Sequence, residues 1–211
     1  MPEGLLAAST LEEVKDLFAY LRAGGRVEAK DAAAAPWTPM LVGPQRKGWN
    51  FDPSVWRAPE GVLIGKGAQL AHSSYFLSKA VHADFEVEFD VRMPAGNSGF
   101  QYRSRVDPST PDPIGYQADI GQGYWGSLYI SDGRAIASQA DPKLWVPILD
   151  REGWNHFLVH VEGDHHVIEL NGLVTTDFHD DVFKTGVFGF QVHEGLAMEV
   201  RYANVRMREL R

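Results

Sequence analysis

From Phe85 to Arg92 the chain alternates without a break. Phe85, Val87, Phe89 and Val91 are apolar, while Glu86, Glu88, Asp90 and Arg92 are charged. Successive side chains of a β-strand point to opposite faces, so this run predicts a strand with one face in a core and the other in water. Such a strand needs partners in its own sheet and a second layer over its apolar face. The same texture returns from Trp154 to Glu162, where Phe157, Val159 and Val161 interleave with polar residues, and again over Val187 to His193 and Met198 to Met207. Val167 to Leu170 runs into Asn171-Gly172, the dipeptide that favours a type I′ hairpin. Turn residues recur about every 8–12 residues. Together these features predict an all-β, antiparallel two-sheet sandwich over residues 37–211, with no internal repeat.

The N-terminus reads differently. Leu11, Val14, Leu17, Phe18 and Leu21 form one apolar helical stripe, with a capping box at Ser9/Glu12 or Thr10/Glu13 and a stop at Gly24-Gly25. A helical appendage over residues 1–25 and an Ala-rich linker over 26–36 are expected. A lone amphipathic helix cannot bury its own stripe, so it must dock on something.

Composition narrows the function classes. Lys and Arg number 20 against 28 Asp and Glu, a formal net charge of -8. That balance is a poor match for phosphate backbones or anionic membranes, so neither nucleic acid nor membrane is an expected partner. There is no cysteine, which removes disulfides, thiolate metal sites and Cys nucleophiles. No apolar run approaches the ~18 residues of a spanning helix, and no signal peptide is visible. The chain also lacks a Gly-x-Ser-x-Gly elbow, a P-loop and a dinucleotide fingerprint.

Three strands instead carry a Gln followed two residues later by an ionisable group: Gln101 and Arg103, Gln117 and Asp119, Gln191 and His193. Period 2 puts each pair on one face, ~6–7 Å apart along the strand. Trp125, Ser127 and Tyr129 are expected to share a side in the same way. Amides, a guanidinium, a carboxylate, an imidazole and aromatic faces suit a sugar, whose hydroxyls take bidentate hydrogen bonds and whose C–H faces stack on rings. No histidine pair has zincin spacing and no metal ligand set is expected. Two other arrangements could meet a cation: His165-His166 in a turn, and His179 with Asp177, Asp180 and Asp181, which would suit a calcium-type ion.

Several ordered segments resemble a known family. They are Trp56 to Gly65, Asp84-Phe85-Glu86, Asn97-Ser98-Gly99, Arg103, Trp125 to Tyr129, Gly153-Trp154-Asn155, Asn171-Gly172, Gly189 to His193 and Arg201 to Val205. In order, from about Trp37 to Leu210, they look like the 3-keto-disaccharide hydrolase domain family. The resemblance implies a concanavalin A-like jelly roll whose concave face holds the site, and a periplasmic or secreted role in bacterial sugar metabolism. It implies cleavage of 3-keto glycosides through C2 deprotonation and an enolate. On that reading His193 is the base or proton shuttle, Arg103 the enolate stabiliser, and Asp119 a second acid/base. Gln101, Gln117, Gln191, Trp125 and Tyr129 would position the sugar, and a divalent cation such as calcium could share the stabilising role. Many members carry a Glu two residues before the Gln of the middle strand. Here that position is Gly115, leaving Asp119 as the strand's carboxylate.

The alternative reading is a non-catalytic carbohydrate-binding module of a larger exported protein; a further one is an interaction domain docked through its helix. Residues Met1 to Leu6 and Leu11 to Arg22 resemble the end of a bacterial c-type cytochrome domain, with Met1 before Pro2 at the place of an axial haem ligand. Without Cys-x-x-Cys-His no covalent haem is available, so the chain is expected to be part of a longer cytochrome-containing polypeptide.

Overall fold

The computed structural model describes residues 35–41, 45–121, 123–195 and 197–210. The expected N-terminal helix, its caps, Met1 and nearly all of the linker lie outside the described residues.

Among the described residues, besides two short 3-10 turns, fifteen strands and one α-helical turn follow in order: β1 (Thr38–Pro39), β2 (Trp49–Asn50), β3 (Trp56–Arg57), β4 (Leu63–Gly67), β5 (Ser74–His82), β6 (Phe85–Arg92), β7 (Asn97–Arg105), β8 (Ile114–Gly121), β9 (Leu128–Ile130), β10 (Ala135–Ser138), α1 (Pro142–Trp145), β11 (Asn155–Glu162), β12 (His165–Leu170), β13 (Leu173–His179), β14 (Gly186–Val192) and β15 (Met198–Glu209). They form two antiparallel sheets packed as a jelly-roll sandwich. The eight-stranded sheet runs β13-β12-β11-β6-β15-β4-β3, with β1 also paired to β15; the seven-stranded sheet runs β10-β9-β8-β7-β14-β5-β2.

Alternation dictates which side chains meet between the layers. Phe85, Val87, Phe89 and Val91 of β6 are fully buried, as are Phe157, Val159 and Val161 of β11. Facing them from the other sheet are Phe100, Tyr102, Phe188 and Phe190. Phe89 stacks on Phe157 at 5.3 Å and meets Phe190 edge-on at 5.9 Å. Each such ring removed from water is worth roughly 1.5–3 kcal/mol, and aromatic pairing adds to it. The predicted hairpin is present. Asn171 (φ 51°) and Gly172 (φ 80°) join β12 to β13 with Leu170 opposite Leu173, the left-handed pair that a type I′ turn requires.

Polar handles tie the layers. The Tyr202 hydroxyl lies 2.6 Å from Ser98 Oγ, and Ser98 donates to the Gln191 carbonyl. That oxygen can only accept, so Tyr202 donates to Ser98, and a β15 side chain fixes the β14 backbone under Gln191.

Strand β7 carries a bulge. Its register against β8 slips between Tyr102 and Arg105, and Arg103 sits at φ 45°. The displaced backbone crowds both neighbours. A Cβ on Gly115 would lie 2.6 Å from Ser104 Cα, and one on Gly186 would lie 2.2 Å from the Arg103 carbonyl carbon.

On the outer face of the eight-stranded sheet, charges meet across strands. Glu86 bonds His160 Nδ1 at 3.0 Å and pairs with Arg208, Glu88 pairs with Arg206, and Asp90 bonds His156 at 2.9 Å and Asn204 at 2.6 Å. The Arg206 and Arg208 guanidiniums stack over Trp37 at 5.1 and 5.0 Å. Burial works to raise the Glu86 pKa, but His160 and Arg208 outweigh it and hold the carboxyl at about 2.

Candidate functional site

The outer face of the seven-stranded sheet holds a cavity of about 370 Å³. Tyr75 on β5, Gln101 on β7, Gln117 and Asp119 on β8, Tyr129 on β9 and Gln191 on β14 line it from the strands, and Asn97, Asp112, His193 and Glu194 from its rim. The ladders explain this convergence. Gln101 is opposite Gln117, Gln117 opposite Tyr129, and Gln191 opposite Tyr75. Gly99 is opposite Asp119, and its missing side chain leaves the space that the Gln117 amide occupies, since a Cβ there would come within 2.4 Å of Gln117 Cδ.

The amides form a one-way relay. Ser104 Oγ donates to Gln101 Oε1 at 3.0 Å, Gln101 Nε2 to Gln117 Oε1 at 2.7 Å, and Gln117 Nε2 to Asp119 Oδ1 at 2.9 Å. Each bond fixes the flip of the next amide, and the relay ends on a carboxylate. Asp119 is nearly buried, and burial pushes its carboxyl up to about 6, against the lowering pull of Gln117, the Ile120 backbone and His193. An acid in that range can both take and give a proton near neutrality.

A second network fixes Gln191. The Tyr75 hydroxyl donates to Asp112 Oδ1 at 2.8 Å, so it must accept from Gln191 Nε2 at 2.9 Å. The remaining amide atom of Gln191 is therefore Oε1, and it is buried without a partner, as is Asn97 Oδ1. Two unmet acceptors, on two residues that line the cavity, cost roughly 1–3 kcal/mol each, and a donor brought within reach would recover that cost.

His193 follows β14. Its Nδ1 lies 2.9 Å from the Glu194 carbonyl, which can only accept, so Nδ1 carries a hydrogen and Nε2 is the ring nitrogen that can hold a lone pair. Tyr129 is half-buried, and its phenol is raised first by burial and then by Asp119, Asp112 and Asp132, so it stays a donor.

The structure thus brings together Gln101, Gln117, Asp119, Tyr129, Gln191 and His193. It does not bring Arg103 or Trp125. The bulge breaks the period-2 rule that would have set Arg103 beside Gln101. Its guanidinium instead donates to the Ala83 carbonyl at 2.8 Å and Asp84 Oδ1 at 2.7 Å in one loop, the Gly163 carbonyl at 2.7 Å in a second and the Phe183 carbonyl at 3.4 Å in a third, tying three loops together. The expected strand from Trp125 to Tyr129 begins only at Leu128. Gly123 (φ 86°) and Gly126 (φ 75°) form a turn, and Trp125 drops into the core 6.2 Å from Phe157. Tyr75, Asn97, Asp112 and Glu194 join the site without having been expected there. The outward position of Tyr75 in Ser74-Tyr75-Phe76 was a usable signal; the rim residues had none. The carboxylates of the cavity do not converge on a point. Among the described residues the one metal-compatible convergence is His165, Asp177 and His179, on the other sheet. The His165-His166 pair splits as alternation requires, with His166 fully buried and His165 facing out at the start of β12.

Comparison with known proteins agrees with this architecture. The chain is 25% identical over 173 residues to a levanase of Bacillus subtilis (strain 168), a match covering 75% of this chain and 24% of that protein. It therefore spans about a quarter of the length of this curated relative. The carbohydrate-binding module CBM66 from Bacillus subtilis superposes with a TM-score of 0.57 at 24% identity, covering 77% of this chain and 96% of that one. A candidate glycosyl hydrolase from Parabacteroides distasonis ATCC 8503 superposes with a TM-score of 0.63 at 21% identity, covering 83% of this chain and all (100%) of that one. At these identities the likeness establishes the fold. The family itself is established by a sequence match over residues 36–208: the chain belongs to the carbohydrate-acting 3-keto-alpha-glucoside-1,2-lyase-like domain family.

Proposed function

We propose that the cavity binds a 3-keto glycoside and cleaves its glycosidic bond by elimination. The observation that carries this reading is Asp119, a nearly buried carboxyl poised at about 6 in a cavity that also holds the free Nε2 of His193. A ketone at C3 acidifies the proton on C2. His193 Nε2 takes that proton, and the C2–H electron pair becomes the C2=C3 bond of an enolate. Collapse of the enolate restores the ketone, forms C1=C2 and expels the C1 oxygen, which takes its proton from Asp119. Water then adds across the new double bond, or the unsaturated ketone leaves. The Tyr129 hydroxyl and the Asn97 amide are the donors for the enolate oxygen, while Gln101, Gln117 and Gln191 orient the ring. Export to the periplasm or beyond, and attachment to a cytochrome-bearing polypeptide, accompany this reading on the strength of the sequence resemblances alone.

A second reading, a sugar-binding module without turnover, is favoured by one specific feature. No Lys or Arg lines the cavity among the described residues, so no fixed cation faces an enolate oxygen.

The deciding experiment is sugar release from 3-keto and ordinary disaccharides, with and without EDTA, by wild type, Asp119→Asn and His193→Ala. Release from the keto substrates alone, slowed about 100-fold or more in both variants, supports elimination. Equal rates in His193→Ala remove it from the chemistry. No release with saturable glycan binding establishes the module, and neither release nor binding overturns both readings.

A further inference from the structure

On the outer face of the eight-stranded sheet, away from the cavity, β12 and β13 bring imidazoles and carboxylates to one spot. His165 and His179 are directly opposed across the ladder. Their rings lie parallel, 4.5 Å apart and within 8°. Asp177 is two residues before His179 on β13 and so projects from the same face; its Oδ1 is 2.7 Å from His165 Nε2. One ligand atom from each of these three residues falls within 4.8 Å of the others. Asp164, in the turn before β12, adds a second carboxylate 3.3 Å from His179 Nδ1.

We propose that His165, Asp177 and His179 bind a divalent cation of the zinc class, which staples the edge hairpin of the eight-stranded sheet. The donor set selects the metal. Two imidazole nitrogens with a carboxylate oxygen suit Zn²⁺ and its late first-row neighbours, whereas Ca²⁺ and Mg²⁺ take oxygen ligands almost alone. Tetrahedral zinc bonds of about 2.0–2.2 Å place ligand atoms about 3.3 Å apart. The three side chains need to close by at most about 1.5 Å, through rotations that their partly exposed positions leave free. Two nearby carboxylates balance the charge of the ion.

The position gives such an ion a structural consequence. β13 is the outermost strand of its sheet, and an edge strand has ladder bonds on one side only. Next to the cluster, Thr175 and Thr176 both donate to the Gly126 carbonyl at 2.9 and 2.8 Å, holding the turn between β8 and β9 from across the sandwich. A cation bridging β12 to β13 stabilises the hairpin that makes this contact, by mass action on the folded state.

The test is calorimetric titration of the metal-stripped full chain with zinc chloride, paired with thermal unfolding. One saturable equivalent and a raised unfolding midpoint are expected. His165→Ala and His179→Ala should each weaken binding about tenfold or more and abolish the midpoint shift. His156→Ala, beside Asp90 on the same sheet, should change neither, and calcium should give no binding that the two variants remove. Metal-free unfolding of each variant reports whether it folds; should either histidine variant fail, Asp177→Asn decides in its place. Absence of saturable zinc binding in the wild type, or binding unchanged in the variants, overturns the proposal.

Discussion

The two outer faces of this sandwich are built from the same pattern and end in opposite electrostatic states. Both derive from strands that alternate apolar with polar residues. On the eight-stranded sheet the outward charges meet across strands and cancel, Glu86 with His160 and Arg208, Glu88 with Arg206, Asp90 with His156. On the seven-stranded sheet the outward groups are mostly amides. Their relay leaves a raised carboxyl at Asp119 and two acceptors, Asn97 Oδ1 and Gln191 Oε1, without a partner. A polar strand face is therefore no evidence of a site. What separates a solvated face from a binding face is whether its polar groups have already satisfied one another, and that is settled by cross-strand register.

Arg103 is where this contrast is most exposed to failure. By strand it belongs to the cavity sheet, yet by bonding it belongs with the satisfied groups. Arg103→Ala should lower stability by about 2–3 kcal/mol in urea unfolding, because it empties the buried space of its side chain and takes a donor from the Ala83 and Gly163 carbonyls, while the partly exposed Asp84 carboxylate keeps the Gly163 N–H. Glycan affinity of the folded protein should be unchanged. Lost binding with stability intact would return Arg103 to the cavity.

The two carboxyls should also show opposite pH dependence. The raised pKa of Asp119 makes its contribution to stability full below its unfolded value near 3.8 and lost as pH rises through about 6. Asp119→Asn should therefore gain about 2–3 kcal/mol over wild type above pH 6, and nothing below pH 4. Glu86 is depressed to about 2 from 4.5, so its contribution is present above pH 4.5 and lost as pH falls toward 2. Glu86→Gln should cost about 2 kcal/mol at neutral pH and nothing near pH 2. Chemical unfolding of both variants at several pH values checks the signs, and parallel profiles would erase the distinction between the faces. The smallest effect is expected at Gln191. Gln191→Ala removes one of the unmet acceptors and should weaken glycan binding about tenfold by calorimetry, with little change in unfolding.

Sequence reasoning went as far as local geometry governs. The strands and the shared faces of Gln117 with Asp119 and of Gln191 with His193 follow from period 2, the Asn171-Gly172 hairpin follows from its turn chemistry, and all are present. The same rule misplaced Arg103 and Trp125, because a bulge and a two-glycine turn reset the parity and neither is announced by residue type. Tyr75, Asn97, Asp112 and Glu194 reach the cavity from four separated segments, so only the ladder order could place them. Much of what carried the family resemblance proves to be framework. Trp56 is in the core, the Asn155 side-chain amide donates to the Asp150 carbonyl, and Asn171 sits in the hairpin turn.

The β7 bulge has a consequence for substitution. A side chain at Gly115 would meet Ser104 Cα at 2.6 Å and the Arg103 carbonyl oxygen at 2.9 Å, both of them backbone atoms. Changing Ser104 alone does not clear the space, because the bulge centres on Arg103 and Arg103 is anchored in three loops through Ala83, Gly163 and Phe183. Gly186 is under the same constraint from the other flank. Gly115, Arg103 and Gly186 are thus sterically coupled. A side chain introduced at position 115 needs the neighbouring strand rebuilt at the same time, so the two glycines act as the mould in which the kink of β7 is cast.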